Sequence, residues 1–151
     1  MNTRFKMGKV YPAAYKAMDA LDSLTQTSLI DKWHRELIRI RASHINGCAY
    51  CVHSHSTDAL KLNIDFHKIN LVAVWREAPN VFNEEEQLIL GMTEQVTLIH
   101  QHGLSDELYN KAISLWGEEK TAHTLMLMIT INAWNRIGVG LNMHPDYKIN
   151  K

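Results

Sequence analysis

The chain has 151 residues, 46% of them apolar and 21% charged, with 16 Lys and Arg balancing 16 Asp and Glu. That length points to a single domain over residues 1–151, burying about two thirds of its unfolded surface and needing neither disulfides nor a metal to hold a core. Zero net charge without a Lys/Arg run excludes the footprint of a nucleic-acid binder. The apolar content excludes disorder, and no apolar stretch approaches the roughly 18 residues of a membrane span.

The N-terminus has no apolar core followed by a small-residue cleavage site, so a cytoplasmic location is expected. A first helix is expected over 12–24, with Pro12 at a permitted first-turn position. A second spans 28–42, with Ser28 as N-cap and Leu29, Trp33, Leu37 and Ile40 forming one apolar stripe. A break is expected at 43–47, then a helix over 48–62. Asp65 can cap a short helix reaching Val74. Asn83 and Glu86 have the spacing of a capping box and open a helix that ends at Gly103. Ser105 caps another to Trp116. The last helix, 118–139, is apolar nearly all round, as a central buried helix would be. No stretch alternates with period two. The expected fold is all-α, with about six to seven helices and a buried C-terminal helix.

The chemistry gathers around the only two cysteines, Cys48 and Cys51. At about 100° per residue, Cys48, Cys51 and His55 share one helical face with Val52 and Ala59, while His53 points to the opposite side. Both cysteines fall in the first turn, where the positive end of the helix dipole favours thiolate, as does a neighbouring imidazole. This describes a reactive dithiol that can also close a small disulfide ring. Val52 stands where a c-type haem site requires His directly after the second Cys, which excludes that site. Zinc needs four ligands; Cys48, Cys51 and His55 supply three, and His44 is the candidate fourth. Two inert buried thiols are the remaining alternative.

Glu36 bears on this choice. It lies about 20° from Leu29 and about 40° from Ile40, within the apolar stripe of the preceding helix. A carboxylate there costs free energy unless it is paired, hydrogen-bonded or protonated. It is either a salt-bridged edge residue or a proton-handling group aimed at the thiol pocket.

Taken together, Glu36, Cys48, Cys51 and His55 form the pattern Glu-x11-Cys-x2-Cys-x3-His. This pattern, and the surrounding text over 36–63, resembles the AhpD-like alkylhydroperoxidase family within the carboxymuconolactone decarboxylase superfamily. A weaker likeness extends over the rest, including residues 133–137. The resemblance implies an AhpD-like helical fold, assembly as a homotrimer or trimer-based hexamer, and a hydroperoxide-reducing enzyme without a bound cofactor. By the same resemblance, Cys51 is the peroxidatic thiol, Cys48 the resolving one, and His55 and Glu36 belong to the proton relay. The oxidised pair would be reduced by an external dithiol, for which a lipoylated protein is the family's precedent. One departure stands out. The best-studied member has a relay His just before the second Cys, where this chain has Tyr50. A phenol with a pKa of about 10 donates a hydrogen bond but does not shuttle protons at pH 7. Two alternatives accompany the peroxidase: a decarboxylase-type enzyme, and a redox-sensing helical oligomer without turnover.

The remaining histidines carry no functional expectation. His100 and His102 suit a helix C-terminus, His34 and His53 fall on polar, solvated faces, and His123 is expected against the last helix. The run 125–128 (Leu-Met-Leu-Met) reads as adaptable core or subunit interface, and Trp33 and Trp134 as core or pocket-lining aromatics.

Overall fold

A computed structural model of the chain describes residues 2–27 and 29–145. Among these are eight α-helices, a 3₁₀ segment and no strand. In chain order they are α1 (Met7–Val10), α2 (Pro12–Leu24), α3 (Lys32–Asn46), α4 (Ala49–Lys61), α5 (Phe66–Leu71), α6 (Glu84–Thr97), α7 (Ile99–His102) and α8 (Asp106–Gly140). The 3₁₀ segment, Val72–Glu77, extends α5. No helix among the described residues is long and apolar enough to cross a membrane.

Local chemistry sets most boundaries. Pro12 opens α2. The Asp65 carboxylate caps α5 and the Ser105 hydroxyl caps α8, while Asn83 and Glu86 form the reciprocal capping box of α6. The expected division between 105–116 and 118–139 falls at Gly117, whose φ of 72° interrupts an otherwise continuous α8. The helix expected to run to Gly103 is divided at Leu98 into α6 and α7.

The second helix is displaced from its expected place. Ser28 lies outside the described residues. The cap is Asp31, whose carboxylate accepts the Trp33 backbone N–H at 2.7 Å, and Leu29 is exposed rather than part of the stripe. The expected break at 43–47 is also absent, because α3 runs through to Asn46. The Ser43 hydroxyl donates back to the Arg39 carbonyl at 2.6 Å, which lets it remain helical. The stop comes at Gly47, at φ 68° and ψ 30°. There Cys48 N–H reaches the Ser43 carbonyl and Gly47 N–H reaches that of His44, the paired bonds of a Schellman motif.

Helix α3 packs against α4, α6 and α8. Leu37, Ile38 and Ile40 of α3, Leu88, Ile89, Leu90 and Met92 of α6, and Leu127, Met128 and Ile131 of α8 form the buried core. The outward side of α8 is not covered: Met126 is 42% exposed and Ile129 49%.

Helix α6 also carries three carboxylates that each receive an indole N–H. Trp33 donates to Glu86 at 2.6 Å, Trp75 to Glu94 at 2.7 Å and Trp116 to Glu85 at 2.7 Å. Cations complete each pair: Lys68 on Glu86, Arg41 and Arg76 on Glu94, and Lys120 on Glu85. Burial raises the pKa of Glu94 and Glu85, but these hydrogen bonds and charges outweigh it and hold both below the ordinary carboxylate range. His34, expected on a solvated face, is instead buried beside Glu85, since α6 covers that side of α3. His53 is exposed, as expected.

Candidate functional site

The short Gly47 turn brings α4 back along α3, and the two cysteines stand at its mouth. Cys48 is the N-cap of α4, where its sulfur accepts the Cys51 backbone N–H at 3.3 Å. Cys51 sits three residues on, and the two sulfurs are joined in a disulfide. Both are buried, Cys48 at 2% exposure and Cys51 at 6%. Cys51 lines an open cavity of about 300 Å³; Cys48 does not.

His55, one turn further along α4, lines the same cavity. Its Nδ1 is 2.8 Å from Oε2 of Glu36, and Oε1 of Glu36 accepts from the Arg39 guanidinium at 2.7 Å. Burial pushes the Glu36 pKa up, but the hydrogen bonds and charges of His55 and Arg39 hold it below the ordinary value. An ionised carboxylate can only accept, so Nδ1 of His55 carries the proton. In the neutral ring this leaves the lone pair on Nε2. Arg39 is buried and reaches on to Asp22 at 3.6 Å and to the Thr25 hydroxyl.

The four residues singled out from sequence, Glu36, Cys48, Cys51 and His55, are therefore brought together. Several neighbours were not foreseen. Arg39 has a sequence signal, the i,i+3 spacing from Glu36. Asp22 and Tyr15 reach the cavity from α2, which no local pattern announces, while Trp134 of α8, expected as a core or pocket-lining aromatic, lines it. Tyr15 and Trp134 meet edge to face at 5.2 Å. Tyr50, immediately before Cys51, is 41% exposed at the cavity rim. Gly138 of α8 lies directly against the disulfide, where even a methyl group would collide with sulfur.

A buried amide network fixes this arrangement. Asn46 donates to the side-chain oxygens of Asn132 and Asn135, both at 2.9 Å, and Asn135 donates to the Ser43 hydroxyl at 3.0 Å. The end of α3, which presents the Cys48 turn, is thus tied to α8. Among the described residues, Glu36, His55 and Asp58 place potential ligand atoms within 4.8 Å of one another. Both Glu36 oxygens are already engaged by Arg39 and His55, so a cation would have to displace a buried ion pair. His44, the candidate fourth zinc ligand, is not in that group; burial and the nearby Arg41 charge lower its pKa.

Comparison with known proteins adds a family to this geometry. The sequence model of the carboxymuconolactone decarboxylase family matches residues 12–94. An uncharacterised protein of Bacillus subtilis, YdfG, is 33% identical over 141 residues, covering 93% of this chain and 95% of its own length. Among solved structures, a protein of unknown function from Agrobacterium tumefaciens, provisionally named antioxidant defence protein AhpD, superposes with a TM-score of 0.93. It is 35% identical, over 97% of this chain and all of its own. A peroxidase-related protein from Silicibacter shares the fold, with a TM-score of 0.75 at 21% identity, over 87% of this chain and 69% of its own.

Proposed function

Because the chain belongs to the carboxymuconolactone decarboxylase family and has an AhpD-like fold around its dithiol, we propose that it is a cysteine-dependent peroxidase. In this reading it reduces hydroperoxides in the reducing cytoplasm through a Cys48–Cys51 dithiol/disulfide cycle. The observation that carries the proposal is the continuous contact Arg39–Glu36–His55, ending in the cavity that Cys51 lines.

His55 Nε2 accepts the Cys51 thiol proton, and the imidazolium is stabilised by ionised Glu36. The Cys51 thiolate attacks the distal oxygen of the hydroperoxide and the O–O bond breaks. The departing alkoxide takes the proton from His55 and leaves as alcohol, or as water from hydrogen peroxide. Cys51 is now a sulfenic acid. Cys48, whose sulfur already accepts a backbone N–H, attacks as thiolate. The S–S bond forms and hydroxide departs, taking up the Cys48 proton to leave as water. An external dithiol, such as a lipoyl group carried on a protein, returns two electrons and two protons by thiol–disulfide exchange.

The cavity chemistry argues against the decarboxylase alternative. Asp19 and Asp22 line the cavity, and among its described lining residues there is no Lys or Arg, so a carboxylate held beside Cys51 would meet repulsion there. A sensor without turnover is separated from an enzyme by supplying reductant: continued peroxide consumption with excess dithiol supports the enzyme, and a single stoichiometric oxidation supports the sensor. The residue assignment is tested with Cys51→Ser. Hydroperoxide consumption at the wild-type rate in that variant would overturn it, whereas Cys48→Ser should accumulate a trappable sulfenic acid after one turnover.

The same reading includes self-assembly as a trimer or trimer-based hexamer. It is supported by the uncovered Met126 and Ile129 on α8.

A further inference from the structure

The cavity beside Cys51 does not end at its rim. A second cavity of about 550 Å³ adjoins it, and the two share Tyr15, Tyr50, Ile137 and Met143 as common walls. Both volumes fall in the range of about 300–1,000 Å³ typical of small-molecule sites. Phe5 and Met7 extend the apolar wall of the second cavity away from the disulfide.

Charge is distributed unevenly along this groove. The dithiol end carries Asp19 and Asp22, together with His55. The far end carries Lys6 and Lys9, with His144 beside them and no acidic side chain among the described lining residues. Neither lysine forms a salt bridge among the described residues, although Asp22 is already near Arg39 at 3.6 Å. The segment bearing the lysines is held in place. The Arg4 backbone N–H donates to the Leu141 carbonyl at 3.0 Å, and its guanidinium donates to that of Gly140 at 2.9 Å. The backbone leading into the lysines is therefore anchored at the end of α8.

We propose that this groove binds a long-chain monocarboxylate, with its anionic head at Lys6 and Lys9 and its chain along Tyr15, Tyr50, Ile137 and Met143 toward Cys51. Two features select this ligand class. The apolar walls require a tail, because a small peroxide would leave most of the groove unused. The acidic pair at the dithiol end turns an anionic head away, and the basic pair receives it, so the ligand enters in one orientation. Resting on the peroxidase reading, the natural substrate is then the hydroperoxide of such a carboxylate, with its –OOH group borne on the chain. The binding claim itself does not require turnover.

Titration calorimetry on the full chain separates these points. The ligands are dodecanoate, octanoate, methyl dodecanoate and dodecyltrimethylammonium, all below their aggregation thresholds. Dodecanoate is expected to bind about two-hundredfold tighter than octanoate, since each of its four further methylenes contributes about 0.8 kcal/mol when buried, and about five- to tenfold tighter than the ester or the cation. Lys6→Gln/Lys9→Gln, at two exposed positions, should erase the preference for the anion while retaining the preference for length. Equal affinity for the anionic and cationic amphiphiles overturns the proposal. So does an anion preference that survives the double substitution, or an absence of binding. Hydrogen peroxide has no chain to seat, so its consumption by the wild-type protein tests the peroxidase reading alone. A protein that consumes it but ignores dodecanoate retains the reading and loses the groove.

Discussion

Gly138 and Cys48 approach so closely that a Cβ on the glycine would stand 2.9 Å from the Cys48 sulfur, and 3.4 Å from that of Cys51. The contact lies between α8 and the first turn of α4, so the space the disulfide occupies is shaped by a residue distant in sequence.

Gly138→Ala is therefore expected to weigh on the oxidised form. Overpacking costs about 1–3 kcal/mol. If the reduced thiols rotate away while the disulfide cannot, the dithiol/disulfide potential rises by roughly 20–60 mV. Equilibration against a glutathione or dithiothreitol series measures this. An unchanged potential with a lowered melting temperature would assign Gly138 to packing alone.

Arg39 and Glu36 form a buried ion pair, so removing Arg39 takes away the permanent cation beside Glu36 and leaves only His55 against the carboxylate. Arg39→Met should destabilise the fold by about 3–5 kcal/mol, read as a drop in the urea midpoint. Adding Glu36→Gln should recover part of that loss, because the uncompensated carboxylate is gone. If the double variant is no more stable than Arg39→Met, the loss does not come from an uncompensated Glu36.

Acid sensitivity follows from the carboxylates on α6. Glu94 is held below the ordinary range because Trp75, Arg76 and Arg41 outweigh the burial that raises it. A carboxylate with a depressed folded pKa adds stability above its unfolded value, about 4.3, and loses it as pH falls through the folded value. Glu85 and Glu36 act with the same sign. From these carboxylates urea midpoints are expected to fall below about pH 4.3, after an earlier decline below about pH 6.5, where the unfolded chain protonates His44 and the folded chain resists it. Glu94→Gln should be less stable at pH 7 by about 1–3 kcal/mol and lose less on acidification. A profile parallel to wild type would remove Glu94 from this account.

The outward side of α8 supplies the fourth test. Met126→Asp with Ile129→Asp places two charges on the uncovered apolar face. Light scattering is expected to register a shift from oligomer to monomer with the helical content preserved. A wild-type protein that is already monomeric, or a mass the substitutions leave unchanged, would remove this face from any assembly.

Much of the site was legible because its signals are local. The i,i+3 and i,i+4 spacings of Cys48, Cys51 and His55 fix a shared face on any α-helix, and Glu36 stood out as a carboxylate in an apolar stripe. The helix caps at Asp65, Asn83 and Ser105 were legible for the same reason. What was missed depends on tertiary contact. His34 looks solvated on the α3 wheel, but α6 covers it. Asp22 and Tyr15 reach the cavity from α2, a helix distant in sequence from Cys51. The start of α3 was misplaced because Ser28 and Asp31 are both competent caps, and propensity does not rank them. Its end was misplaced because Ser43, a poor helix former, satisfies its hydroxyl on the turn below.

The three indole–carboxylate contacts have a spectroscopic consequence. The chain contains four tryptophans, and Trp33, Trp75 and Trp116 each hand their N–H to a glutamate of α6. Trp134 instead stands in the cavity with Cys51. Emission from the first three follows the docking of α6, while emission from the fourth follows whether the neighbouring sulfur is oxidised. A protein that keeps only Trp134 would carry its own redox-sensitive lamp, with no label attached.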